Sequence, residues 1–174
     1  TKALARDQVE SMRGLVQACS AEIPELGTGP GAATFDGDTP PDERRAARAR
    51  ATAVATNPDM LHRSILPRHD LWGPFLAGLD LVVIDELHAY RGVFGSHVGL
   101  VMRRLWRLCA HYGSRPRIVS CSATIQNPDE LARLVTGRAA VHAITEADNG
   151  SPKGPRTMVM LNPGVVDETT GVRR

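Results

Sequence analysis

Cysteine is scarce in this chain of 174 residues, and the three present, Cys19, Cys109 and Cys121, are odd in number and far apart. No pair has metal-ligand spacing, which excludes a disulfide framework and a zinc site built within these residues and leaves reduced, buried thiols as the expectation. Long apolar runs are missing too. Nothing approaches the roughly 20 apolar residues of a membrane helix, and no charged-then-apolar leader opens the chain. A soluble protein in a cytoplasmic setting, with no membrane partner, is therefore expected. Lysine is almost absent: of 21 basic residues only Lys2 and Lys153 are lysine. The net charge of +2 is too small to establish a nucleic-acid partner, which normally announces itself as a clustered basic patch.

What is present is ordinary globular composition, 42% apolar and 23% charged, in a length that suits one domain with a hydrophobic core. Short β-branched or apolar runs bounded by turn residues predict strands at Ala32–Asp36, Thr52–Thr56, Asp80–Asp85, Arg117–Cys121 and, more weakly, Ala139–Ile144. A helical pattern runs from Ala3 to Val16, and Gly92 to His111 reads as a long helix with Val98, Val101, Leu105 and Leu108 on its apolar side. Its Arg103, Arg104 and Arg107 are expected to face water or a partner. Two further helices start at Asn57-Pro58-Asp59 and Asn127-Pro128-Asp129, where Asn caps, Pro takes the first helical position and Asp favours the positive end. The run Leu81-Val82-Val83-Ile84 is apolar on both faces, as a strand covered by helices on each side would be. Alternating strands and helices predict an α/β domain with a mostly parallel sheet.

A Gly, Pro, Asn and Ser load between Asp148 and Pro155 marks a linker, so the organisation reads as a domain over 1–145 and a linker over 146–174 that includes a strand at Thr157–Leu161. The chain opens on Thr1 without methionine and closes on Val172-Arg173-Arg174, and is expected to be a segment of something larger.

The strongest chemical feature is the apolar strand Leu81–Ile84 followed by Asp85-Glu86-Leu87-His88. Open α/β sheets place their sites at the ends of strands. In phosphoryl transfer one carboxylate there can hold Mg²⁺ while the next orients and deprotonates the attacking water. Taken alone, an Asp-Glu pair after a strand is more often an acidic turn that caps the next segment. The context changes that balance, because Arg117-Ile118-Val119-Ser120-Cys121-Ser122-Ala123-Thr124 is a second strand ending in hydroxyl residues that can hydrogen-bond the acidic segment from a neighbouring strand. The run Arg44 to Arg50 can follow a phosphate backbone, but a solvated amphipathic helix explains it better. Scattered surface or capping positions account for His62, His69, His111 and His142.

Asp85-Glu86-Leu87-His88 followed by Ser122-Ala123-Thr124 resembles motifs II and III of superfamily-two helicases. Thr1-Lys2-Ala3-Leu4 resembles motif Ia without its leading proline, and Thr56-Asn57-Pro58-Asp59-Met60-Leu61 resembles motif Ib. Phe35-Asp36-Gly37-Asp38-Thr39 and Tyr90 to His97 look like the RecQ-related branch of mitomycin-repair-type helicases. The resemblance implies a three-layer RecA-like first motor domain, incomplete at its N-terminal end, with a second such domain elsewhere in the parent protein. It implies ATP and Mg²⁺ as cofactors. Asp85 is implied as the Mg²⁺ partner, Glu86 as the catalytic base, His88 as a coupling residue, and Ser122 and Thr124 as links between hydrolysis and strand movement. Thr1, Lys2, Gly37, Asp38, Thr56 and Asn57 are implied to face the backbone of single-stranded DNA, although for Lys2 a solvated terminal lysine is at least as good a reading.

One departure matters. No Gly-x-x-x-x-Gly-Lys-Ser/Thr loop, which would cradle the nucleotide phosphates, occurs in the 174 residues. The expectation is an ATP-dependent DNA helicase of repair, 3′-to-5′ by resemblance, whose isolated segment here is inactive. The alternatives are a degenerate motor domain that grips nucleic acid or protein without turnover, and a nuclease or translocase sharing the same motor.

Overall fold

The computed structural model describes residues 2–22, 31–151, 154–155, 157–161, 165–167 and 172–173. Two compact units divide at Ala143/Ile144. The first opens with helix α1 (Lys2–Glu22), longer than its apolar pattern suggested, and then carries two consecutive strand–helix–strand units.

In the first, β1 (Gly31–Phe35) and β2 (Ala51–Thr56) pair in parallel, joined by α2 (Pro41–Arg50). Parallel strands need such a crossover, and the α2 start is fixed by Pro41 at the first helical turn, with Asp42 and Glu43 at its positive end. The second unit joins β3 (Leu81–Ile84) to parallel β4 (Arg117–Ser120) through α5 (Gly92–His111), with Val83 opposite Val119. Between the two units, α3 (Pro58–Met60) runs on as a π turn (Leu61–Ile65) and a 3-10 segment (Leu66–Trp72) before α4 (Gly73–Ala77). Pro67 explains the irregularity, because a ring without an N–H cannot continue an α-helical ladder. Helix α6 (Pro128–Thr136) stops at Gly137, whose φ of 70° and N–H to the Arg133 carbonyl (2.8 Å) form a left-handed cap.

The core lies where α5 meets the surrounding elements. It buries Val98, Val101, Met102, Leu105 and Cys109 from α5 against Leu66, Trp72, Leu76, Leu87 and Val135. Leu108, expected on that face, is half-buried against it. Phe35 and Trp72 meet edge to face at 5.1 Å between ring centres, so the first unit and the 3-10 segment share this core.

Several expectations need correction. The segment Asp80–Asp85 does form a parallel strand, but it is not covered on both faces: Leu81 is 47% exposed, Val83 58% and Val119 48%. Its only strand neighbour among the described residues is β4, and no described element buries the odd-numbered side of this pair. Ile84 is buried and Val82 half-buried on the other side. For the same reason Cys121, at the end of β4, is exposed rather than a buried thiol, whereas Cys109 is buried and its thiol pKa is pushed up, chiefly by burial. Asn57 caps α3 by accepting from Met60 N–H at 2.9 Å, but Asn127 turns its amide to Glu130 Oε2 (2.7 Å) and does not cap. Ala139–Ile144 contains no strand, and no described strand lies beside it.

The second unit, Ile144–Arg174, holds a short antiparallel pair, β5 (Val165–Asp167) and β6 (Val172–Arg173). Thr157–Leu161 is irregular and exposed rather than a strand, since no described strand lies beside it to satisfy its backbone. No helix among the described residues is long and apolar enough to cross a membrane.

Candidate functional site

Two strand edges gather the candidate residues. At the C-terminal edge of β1 and β2, Asp36 opens a tight turn. Its Oδ1 accepts from Asp38 N–H (2.9 Å) and Thr39 Oγ1 (3.0 Å), while Thr39 Oγ1 accepts from Asp36 N–H (2.8 Å). Asp and Thr side chains that bond nearby backbone in this way replace the hydrogen bonds a loop lacks. Burial works against the Asp36 carboxylate, yet Thr39 and the backbone N–H groups of Asp38 and Thr39, with the Arg6 charge beyond, hold its pKa below the ordinary value. Its Oδ2 has no hydrogen-bond partner among the described residues.

Arg44 clamps the turn from α2. It donates to the carbonyls of Thr39 and Asp36 (both 2.8 Å) and Gly37 (3.2 Å), and stacks on Phe35 at 5.4 Å. This residue was missed by treating the arginine run as uniformly solvated. Its signal was position, as the first arginine after the turn and Pro40-Pro41. Thr56 Oγ1 donates to the Phe35 carbonyl at 2.7 Å and so ties β2 to β1 just below the turn. Gly37, Asp38, Thr56 and Asn57 thus share one edge, with Gly37 and Asp38 exposed on it. Thr1 lies outside the described residues, and Lys2 is the first residue of α1.

At the C-terminal edge of β3 and β4 the backbone crosses over. Cys121 N–H donates to the Ile84 carbonyl and Leu87 N–H to the Cys121 carbonyl, each at 2.9 Å. Leu87, 2% exposed, anchors the turn in the core, while Asp85 and Glu86 project from it. Glu86 has φ 53° and ψ 41°, the one left-handed non-glycine residue among the described residues. Such a conformation costs about 1–2 kcal/mol and persists where the surroundings impose it, commonly at functional sites.

His88 joins the two strand ends. Its Nδ1 accepts from Ala123 N–H at 3.2 Å, which places the ring proton on Nε2, and Nε2 lies 3.2 Å from Glu86 Oε2. A backbone donor thereby orients the ring and the ring orients the carboxylate. The contact between the acidic turn and Ser122-Ala123-Thr124 runs through the Ala123 amide and not through a hydroxyl, because Ser122 Oγ turns to the Ala123 carbonyl at 2.8 Å. No hydrogen bond of the Thr124 side chain is found among the described residues, and it is exposed. Tyr90 sits beside the pair. Burial first, then the charges of Asp85 and Glu86, raise its phenol pKa. Gly95 lets the first turn of α5 lie against the Tyr90 backbone, since a Cβ on it would lie 2.2 Å from the Tyr90 carbonyl oxygen.

The donor set suits Mg²⁺. That ion keeps several waters and takes one or two carboxylates together with substrate phosphates, rather than a closed protein cage. Asp85 and Glu86 offer such an open pair, and no group of three or more metal-ligating side chains occurs among the described residues.

The DEAD/DEAH box helicase family model matches residues 1–131. The chain belongs to that family. It is 44% identical over its whole length to the ATP-dependent helicase YprA of Bacillus subtilis, and 45% identical over 97% of its length to the ATP-dependent helicase HRQ1 of Saccharomyces cerevisiae. It spans 22% and 15% of those two proteins. Among solved structures, the DUF1998 helicase MrfA bound to DNA superposes with a TM-score of 0.73 at 48% identity, covering 79% of this chain and 19% of MrfA. This DEAD/DEAH box chain therefore has the RecA-like helicase fold, and its two parallel strand pairs are pieces of that architecture.

Proposed function

We propose that this chain supplies the acid pair and part of the nucleic-acid grip of an ATP-dependent, 3′-to-5′ DNA helicase that acts in repair. The observation that carries the reading is the Asp85-Glu86 pair at the end of a parallel strand, with Glu86 left-handed and held by His88 against the neighbouring strand's backbone. When bound, Mg²⁺ and ATP supply charge neutralisation and the phosphoryl group that is transferred. Asp85 holds the cation's side of the site. Glu86 accepts the proton of the attacking water, for which its exposed, oriented carboxylate is suited. His88 positions Glu86 and reports the state of the Ser122-Ala123-Thr124 segment to it. Gly37, Asp38, Thr56 and Asn57 offer N–H, hydroxyl and amide groups that suit phosphate oxygens and read no sequence, with Thr1 and Lys2 assigned to the same surface. The MrfA structures with DNA and with DNA plus AMPPNP support both halves of this assignment.

The chain alone lacks the glycine- and lysine-bearing phosphate loop, and in this reaction class arginines supplied from a second motor domain contribute about 10³–10⁵ in rate. The 174 residues by themselves are therefore expected to be inactive. Strand displacement by the natural-length protein tests the reading: ATP-dependent unwinding of a duplex with a 3′ single-stranded tail, and little with a 5′ tail, supports it. DNA binding with no ATP turnover would make it a binding module instead.

A further inference from the structure

Helix α5 and the 61–72 segment lie side by side, and their facing walls are lined with basic groups. At one end His62 meets His97 edge to face, 5.2 Å between ring centres. In the middle Arg104 donates to His62 Nδ1, which leaves the His62 ring proton on Nε2. At the other end His69 and His111 stand 6.3 Å apart. A cavity of about 420 Å³ opens here, lined by Leu66, His69, Arg104, Arg107, Leu108 and His111, with no carboxylate among them. Arg107 is exposed and has no ion pair or hydrogen bond among the described residues.

These groups form a track rather than a point. His97, Arg104, Arg107 and His111 recur at helical spacing along one side of α5, and at about 1.5 Å per residue the 14 steps from His97 to His111 span about 21 Å. A single phosphate or carboxylate would need convergent donors. A strand that kept the stacked rise of about 3.4 Å per nucleotide would place about six phosphates along this length, and a more extended strand fewer. The track also has an origin. The helical segment bearing His62 starts at Asn57, at the β2 edge already assigned to nucleic acid, and His62 meets α5 close to its N-terminal end. No Asn or Gln lines the cavity, and the cations of Arg104 and Arg107 suit phosphate oxygens. An acidic peptide could meet the same two arginines, but the length of the track and its start beside the Asn57 edge favour a nucleic-acid strand.

We propose that this valley carries the phosphodiester backbone of a nucleic-acid strand onward from the Asn57 edge, as a sequence-tolerant extension of the binding surface. The proposal rests on the nucleic-acid reading above and adds a location and a length to it.

The test measures binding of short and long oligo-dT by the natural-length protein across a salt series. The short oligonucleotide covers only the Asn57 edge; the long one reaches His111. The double variant Arg104→Gln/Arg107→Gln should lower the log–log salt slope for the long oligonucleotide by about 1.4, at about 0.7 per lost phosphate contact, and leave the short one unchanged. Arg107→Glu, whose side chain has no structural partner, should weaken the long oligonucleotide about tenfold with an unchanged unfolding midpoint. Unaltered slope and affinity in both variants, with binding still weakened by Asn57→Ala, would overturn the valley and leave the nucleic-acid reading standing. No oligonucleotide binding by the wild type would overturn both. Loss of poly-glutamate binding without loss of oligo-dT binding would assign the valley to an acidic protein segment and refute the proposal.

Discussion

The two strand edges differ in how much they supply for themselves. At the β1–β2 edge the turn is closed: Asp36 and Thr39 bond each other and the local backbone, Arg44 takes three carbonyls, and Thr56 fastens one strand to the next. At the β3–β4 edge the carboxylates are exposed, Glu86 is held in a costly conformation, and one face of the strand pair is bare. On the reading proposed above, the surface that grips a polymer is largely finished in advance, with Asp36 Oδ2 left without a partner among the described residues. On the same reading, the site that must admit a nucleotide, a cation and a water keeps its two carboxylates exposed until they arrive.

The largest effect expected from this contrast is at Glu86. In the natural-length protein Glu86→Gln keeps the shape but cannot accept the water's proton, so steady-state ATP turnover should fall by about 10²–10⁴ while equilibrium titration finds nucleotide binding retained. At the closed edge the equivalent insult is structural. Arg44→Ala removes three charge-assisted bonds and should lower unfolding free energy by about 2–3 kcal/mol in denaturant titration.

Asp36 gives the closed edge a pH signature. Its folded pKa lies below the ordinary value of 3.8, so its contribution is fully present above that pH and is lost as pH falls below it through the folded value. Asp36→Asn retains an acceptor for Asp38 N–H but no charge, and should flatten the loss of stability below pH 3.8 seen in acid titration. The smallest effect belongs to the bare face. In this chain Val83→Thr should change stability by less than about 0.5 kcal/mol, against about 2 kcal/mol for Val98→Thr in the core, where a hydroxyl would replace a packed methyl.

Much of this arrangement was legible in the sequence, and the parts that were not share a physical cause. The α5 pattern and the four strands of the first unit depend on local periodicity and turn residues, and their bounds agree within a residue. The Asn57 cap is likewise local chemistry. Exposure of Val83 depends on what is laid over a strand, which an apolar run cannot state. Thr157–Leu161 and Ala139–Ile144 had strand composition without strand neighbours among the described residues. Arg44 and the Ala123 amide act through tertiary contacts. Composition made Arg44 one basic residue among several, and a backbone N–H carries no residue-specific signal at all. The basic valley was hidden for the same reason, because His62 and His97, or His69 and His111, become pairs only when helix and segment pack.

The central claim is that one edge turns over nucleotide and the other grips nucleic acid, and the direct measurement puts both readouts on the same variants of the natural-length protein. Glu86→Gln should abolish DNA-stimulated ATP hydrolysis with oligonucleotide affinity unchanged, while Asn57→Ala should weaken oligonucleotide binding and leave hydrolysis without DNA intact. Hydrolysis at the wild-type rate in Glu86→Gln, or an equal fall of both readouts in both variants, would contradict it.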